Sequence, residues 1–283
     1  MTIAETAPAK INLFLHVGER RGDGFHPLQS LAVFTGAGDE LRAGAAPGLS
    51  LALKGPFAKG LAAESDNLVL RAARALAAAA GTSAGAALTL SKYLPVASGI
   101  GGGSADAAAA LRALKQLWRL RIEDAALLEI AATLGSDVPV CLPSASSYME
   151  GRGEILTPVA VPRLAILLVN PGVPVPTREV FAALKERSGT GMALPRGFSD
   201  ADSLLAFLAA TRNDLEAPAR ALQPLVGTVL EALAALPGVR LARMSGSGAT
   251  CFALFADADS CARGAGALRA ARPGWWVEPS LVR

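Results

Sequence analysis

Four glycines fall in five positions, Gly99 and Gly101 to Gly103 with Ile100 among them, in the stretch LPVASGIGGGSADAAAA at 94–110. Glycine has no Cβ, so such a backbone can adopt positive φ and bring its N–H groups close to a ligand. The residues that follow have helical spacing, with Ser104 as the expected N-cap. The first N–H groups of a helix lack intrahelical partners and carry the positive end of its dipole. A glycine-rich approach to a helix N-terminus is therefore a cradle for an anion, usually phosphate. Neither familiar phosphate motif fits. A Walker A loop ends in Gly-Lys-Ser/Thr, and no lysine stands here. A dinucleotide fingerprint needs a third glycine where Ser104 stands and a strand directly before the first, whereas PVAS precedes Gly99. A flexible linker is the plain alternative, but Leu94, Val96 and Ile100 are apolar and a strong helix follows at once.

Two further segments add chemistry. In AKINLFLHVGE the residues alternate, with Ile11, Leu13, Leu15 and Val17 on one face and Lys10 and Asn12 on the other. LGSDVPVCL places Asp137 just past a helix end. The ordinary roles are a solvated lysine at a strand start and a turn-forming aspartate. Beside a phosphate loop, a carboxylate could instead take an acceptor's proton while an ammonium steadies it, which is phosphoryl transfer. Spacing alone does not pair the two.

The elements that must position these groups are mixed. Strands are expected at AKINLFLHVGE, SLAVFT, LSLAL and ALTLSKY. A helix is expected at NLVLRAARALAAAAG, capped by Ser65 or Asp66 and stopped by Gly81. Helices follow at SADAAAALRALKQLW and EDAALLEIAATLG, then short strand-like pieces at VPVCLP and SSYMEG. Beyond them come a strand at 164–169, a helix from about 177, helices near 203–211, 214–222 and 224–235, and strands RLARMS and TCFALFA flanking SGSGA. Without strict β-α alternation the class is α+β. Two prolines in RGEILTPVAVPR mark a boundary, dividing the chain into 1–157 and 158–283.

At 283 residues, 52% hydrophobic and 18% charged, the chain has a real core in one large domain or two modest ones. A net charge of +3 with no Lys/Arg cluster points away from nucleic acid. No run is apolar enough to span a bilayer, and Glu5 stands where a signal core would be. Three cysteines without C-x-x-C spacing read as buried free thiols, and the expected compartment is the cytoplasm.

PAKINLFLHV, LPVASGIGGGSADAA, LGSDVPV and MSGSGATCFALF, in this order, resemble the GHMP kinase superfamily over residues 7 to 256. PAKINL, DGFH, GIGGGSADAA and SDVPV together narrow the resemblance to a kinase of the non-mevalonate isoprenoid pathway. The resemblance implies a two-domain α+β fold with its active site in the interdomain cleft. It implies ATP with Mg²⁺ and phosphorylation of the 2-hydroxyl of a CDP-linked branched polyol. Lys10 and Asp137 match the catalytic pair. The stretch Pro95, Val96, Ala97, Ser98, Gly99, Ile100, Gly101, Gly102, Gly103 and Ser104 matches the ATP loop. Asn12, Phe25, His26, Thr177 and Phe181 match substrate positions, with His26 reading the cytosine edge and the two phenylalanines stacking on the base. Phe25 stands where relatives usually have tyrosine, and SAD replaces SSD. The resemblance assigns no metal ligands. Another small-alcohol kinase of homoserine or mevalonate type is the alternative, which DGFH argues against. A silent nucleotide-binding regulator is the other, which retention of Lys10 and Asp137 argues against.

Overall fold

The computed structural model describes residues 2–22, 24–59, 61 and 67–283. In chain order its first elements are strands β1 (Thr2–Val17), β2 (Leu28–Ala46) and β3 (Leu49–Lys54), helix α1 (Leu68–Ala79) and strand β4 (Gly85–Ser91). Helices α2 (Gly102–Leu117), α3 (Asp124–Leu134) and α4 (Val138–Cys141) follow, then strands β5 (Ser147–Gly151), β6 (Ile155–Pro158) and β7 (Ala165–Asn170). The remainder is α5 (Thr177–Ala182), α6 (Ala201–Ala209), α7 (Glu216–Leu222), α8 (Leu225–Ala234), β8 (Val239–Met244), β9 (Cys251–Phe255), α9 (Ala258–Ala271) and β10 (Trp276–Leu281).

The chain forms two compact units, and neither is continuous in sequence. The first comprises Met1–Ala9, Gly38–Val96 and Gly101–Ser144; the second comprises Lys10–Ala37, Ala97–Ile100 and Ala145–Arg283. The boundary expected at 157/158 falls inside the second unit. Strands β1 and β2 are long enough to contribute residues to both units, so no single linker divides them.

In the first unit β3 runs parallel to β4, and β4 runs antiparallel to Glu40–Ala46 of β2. Helices α1 and α2 pack together, and four successive alanines of α2, Ala107 to Ala110, are buried with Leu111 and Leu114. Small side chains let helices approach closely, and each fully buried leucine adds roughly 1.5–3 kcal/mol. Asn67 caps α1 by accepting from the Val69 N–H; the expected caps Ser65 and Asp66 lie outside the described residues. VPVC is a one-turn helix, not a strand: Pro139 stands in its first turn and all four of its residues are buried.

In the second unit Leu28–Ala32 of β2 pairs with β5, and β5 with β6. A second sheet has the order β10-β7-β9-β8, antiparallel throughout. Every residue of β7 and β9 is buried, as befits central strands covered on both faces. Their core includes Leu167, Val169, Val229, Leu233, Phe255 and Leu268. Cys141, Cys251 and Cys261 are buried free thiols. Among the described residues no helix is long and apolar enough to cross a membrane.

Candidate active site

Within the second unit, residues 97–100 form a backbone clasp. Ala97 and Gly99 have positive φ, 51° and 77°. Three successive carbonyls are engaged: Ser98 O accepts from the Thr250 N–H at 3.0 Å, Gly99 O from the Ser245 hydroxyl at 3.1 Å, and Ile100 O from the Lys10 N–H at 3.0 Å. A Cβ on Gly99 would stand 2.6 Å from Ser245 O and 2.7 Å from both N and O of Gly248, so only glycine fits. The turn SGSGA is thus the complement of the glycine loop. Asn213 fixes that turn by donating to Met244 O and Gly246 O, both at 2.8 Å.

Lys10 and Asn12 lie on β1, and both are buried. The strand is buried on both faces from Ala7 to Val17, so its polar face is enclosed and not solvated. The Asn12 N–H donates to the Ser245 hydroxyl at 3.1 Å, and its Nδ2 donates to Ser30 Oγ at 2.8 Å. One serine hydroxyl therefore links the strand carrying Lys10 and Asn12 to the glycine clasp. From the sequence, SGSGA is only the segment between two strands and part of one motif of the resemblance; its glycine pattern, like that of the loop it meets, is the signal that the two belong together.

The remainder of the loop belongs to the first unit. Pro95 and Val96 precede the clasp, and Val96 is exposed. Gly101, at φ 64°, is the N-cap of α2, with no side chain capping it. The helix therefore starts two residues before the expected Ser104, which sits inside its first turn with Gly102 and Gly103. A left-handed residue is a place glycine occupies without strain, and it leaves the helix's opening N–H groups unclaimed by any cap. Apart from its chain neighbours and its own helix backbone, nothing among the described residues lies within 4 Å of where a Cβ on Gly103 would stand. Asp137 is half-buried at the start of α4, and its carbonyl accepts from the Cys141 N–H at 3.3 Å.

Also in the first unit, Lys92 Nζ donates to Asp39 at 2.5 Å and to Asp106 at 2.7 Å, and all three side chains are buried. Burial alone would lower the Lys92 ammonium; the charges of Asp106 and Asp39 outweigh it and leave it raised. No motif reading singled out this cluster. Asp39 and Lys92 are distant in sequence and meet through the pairing of β2 with β4, and Asp106 reaches them from α2.

The expected substrate residues all lie in the second unit. His26 Nδ1 is 3.0 Å from the Gly18 carbonyl. A carbonyl only accepts, so Nδ1 carries the hydrogen and, in the neutral ring, Nε2 is an acceptor. The His26 and Phe181 rings are stacked, with centroids 5.9 Å apart and planes at 27°. Phe25 is 53% exposed, with the Arg152 guanidinium 4.0 Å above its ring. Asp23 of DGFH lies outside the described residues. Thr177 and Phe181 stand one turn apart on α5, and the Thr177 hydroxyl is 2.7 Å from that of Ser247 in the SGSGA turn. The structure thus joins His26 to Phe181, Phe25 to Arg152, and Thr177 to the turn beneath the clasp. Among the described residues no group of three or more His, Cys, Asp or Glu could hold a metal ion.

A strand-borne lysine, a glycine loop opening a helix and a second glycine turn against it define a class. The GHMP kinases N terminal domain matches residues 67–144 and the GHMP kinases C terminal domain matches residues 193–273; the chain belongs to the GHMP kinase family. It is 55% identical over 280 residues to the 4-diphosphocytidyl-2-C-methyl-D-erythritol kinase of Cereibacter sphaeroides, covering 98% of each chain. It is 51% identical to that of Rhodospirillum rubrum, covering 98% of this chain and 91% of the relative. A crystal structure of 4-(cytidine 5'-diphospho)-2C-methyl-D-erythritol kinase superposes with a TM-score of 0.82 at 35% identity, covering 99% of this chain and 100% of the other. The homoserine kinase of Cytophaga hutchinsonii, at 19% identity and a TM-score of 0.68 over 100% and 94% of the two chains, shares the fold.

Proposed function

We propose that the protein transfers a phosphoryl group from ATP to the 2-hydroxyl of 4-diphosphocytidyl-2-C-methyl-D-erythritol, in the cytoplasm. The observation that carries the ATP half is α2, which opens uncapped at left-handed Gly101 directly after the clasp. Its opening N–H groups, which no side chain caps, and its dipole favour the triphosphate. The acceptor half is supported by relatives that bear this activity in their names at 50–55% identity. The cytoplasmic reading is supported by three free thiols.

In this reading Asp137 accepts the proton of the attacking hydroxyl, and Lys10 steadies that oxygen and the transferring group. Mg²⁺ bound with ATP would offset the charge of its phosphates. Such an ion keeps several waters and needs only one or two carboxylates beside the phosphates, so it requires no preformed protein cage. The base is recognised by His26, whose Nε2 accepts from the cytosine amino group. Uracil offers an acceptor at that position and is refused. Phe25 and Phe181 supply stacking faces, with Arg152 on one side of Phe25.

ADP release should be measured with the CDP-linked polyol, its UDP-linked analogue, homoserine and mevalonate as acceptors. Turnover with the CDP-linked polyol well above the others is expected. Turnover only with another alcohol would overturn the acceptor, and none with any would favour a non-catalytic nucleotide-binding role.

A further inference from the structure

The mechanism leaves the Asp39–Lys92–Asp106 cluster unused, although it lies against the start of α2. Lys92 Nζ is 3.5 Å from where a Cβ on Gly102 would stand, and Asp106 is four residues further along the helix. The two carboxyls are not equivalent. Both oxygens of Asp39 are engaged, its Oδ1 accepting from the N–H groups of Tyr93 and Leu94 at 2.6 and 2.9 Å and its Oδ2 from Lys92, which leaves Oδ2 room for one more donor. Asp106 receives Lys92 on Oδ2, while its Oδ1 is buried without a hydrogen-bond partner. Lys92 and Asp39 are the charged groups acting on Asp106. The other charged residues on helices packed against α2 (Arg71 and Arg74 of α1, Asp124 and Glu129 of α3) are exposed, and α4 has none.

With both carboxyls ionised, the cluster carries one uncompensated negative charge in a dry site, which is costly. One proton removes that charge. It also gives the orphan oxygen a role, because two neighbouring carboxyls can hydrogen-bond only when one is protonated. Burial pushes Asp106 up to about 7; Lys92 opposes this and Asp39 adds to it.

We propose that Asp106 is a positioning residue of the nucleotide loop, and that the cluster binds ATP with one proton held between Asp106 and Asp39. The proposal rests on the reading that α2 receives the ATP phosphates. An ionised cluster behind the helix N-terminus opposes a polyanion, whereas a neutral one does not. ATP therefore favours the protonated form, raises the Asp106 titration and takes up a proton. Affinity falls as pH rises through that titration, by at most about tenfold per pH unit for one linked proton.

The test is the Kd of MgATP without acceptor from pH 6 to 9, in the wild type and in Asp106→Asn, which fixes the neutral form. Comparing the two cancels titration of the nucleotide itself. The wild-type Kd should rise at least about threefold relative to the variant between pH 6.5 and 8.5, with calorimetric proton uptake in the wild type alone. A constant ratio with equal proton uptake would overturn the proposal. Should the variant fail to fold, ¹³C-carboxyl titration of the wild type decides: a carboxyl near neutrality must move up with MgATP, and an unmoved one overturns the idea. Absence of MgATP binding to the folded wild type would overturn the nucleotide reading and this proposal together. Proton-linked binding without phosphorylation of the CDP-linked polyol would support this proposal and overturn only the acceptor reading.

Discussion

The clasp at 97–100 and the segment at 24–26 are both read as nucleotide-facing, yet they are built in opposite ways. The clasp is made of backbone: three carbonyls in a row are engaged, and Gly99 excludes any Cβ. The aromatic segment is made of side chains, with Phe25 largely exposed under Arg152 and His26 held through one ring nitrogen. A backbone site is insensitive to which side chains surround it but intolerant of an added atom where it is tight. A side-chain site changes by degrees, and its specificity can be altered one residue at a time.

The largest effect should come from a residue that belongs to neither construction. Asp137→Asn is expected to lower kcat by about 10²–10⁴ while circular dichroism and both substrate affinities stay near wild type. Wild-type turnover in this variant would remove Asp137 from the chemistry. Next, Gly99→Ala should show how intolerant the clasp is. The left-handed conformation and the close backbone together should cost about 1–3 kcal/mol in thermal stability and weaken MgATP. Gly103→Ala, with open space around it, should stay near wild type in Tm. Equal Tm losses in the two variants would deny the clasp its special rigidity.

The aromatic segment should respond by degrees. Phe25→Ala is expected to raise KM for the CDP-linked polyol by an amount set by lost stacking, about 1–3 kcal/mol, with MgATP affinity unchanged. His26→Ala should also narrow the gap between CDP- and UDP-linked acceptors. If KM holds in both variants, residues 25 and 26 are an ordinary turn. The smallest effect belongs to Phe25→Tyr, which keeps the ring and should leave KM within about twofold, since stacking depends on the aromatic face. A larger change would mean that the hydroxyl makes a contact of its own.

What could be read in the sequence was local. The glycine loop and the alanine-rich helix after it were legible because missing Cβ atoms and helical spacing leave direct marks. The helix start was misjudged because Gly101 adopts a left-handed conformation and takes the capping position, drawing Gly102 and Gly103 into the first turn. Four residues of VPVC carry too little periodicity to distinguish a helical turn from a strand. The strand SLAVFT is expected to stop before GAGDELRAGAA, yet β2 continues through it and Glu40–Ala46 pairs with β4, and that tertiary pairing overrides local propensity. The last strand escaped notice because Pro279 lies within it; β10 is at the sheet edge, where a missing N–H is tolerated. The Asp39–Lys92–Asp106 cluster could not be read at all, since nothing local marks charged residues that only the fold brings together.

The chain passes between its two compact units at 9/10, 37/38, 96/97, 100/101 and 144/145. A protein divided at one linker can be shortened, duplicated or recombined there, each half surviving as an inheritable module. Here no single peptide bond separates the units, and a fragment cut at any of these junctions carries the torn edge of one or both. The two are one genetic piece, closed to exchange by crossover. A change of specificity in such a lineage has to be written residue by residue, and an exposed side chain such as Phe25 is where such rewriting costs the fold least.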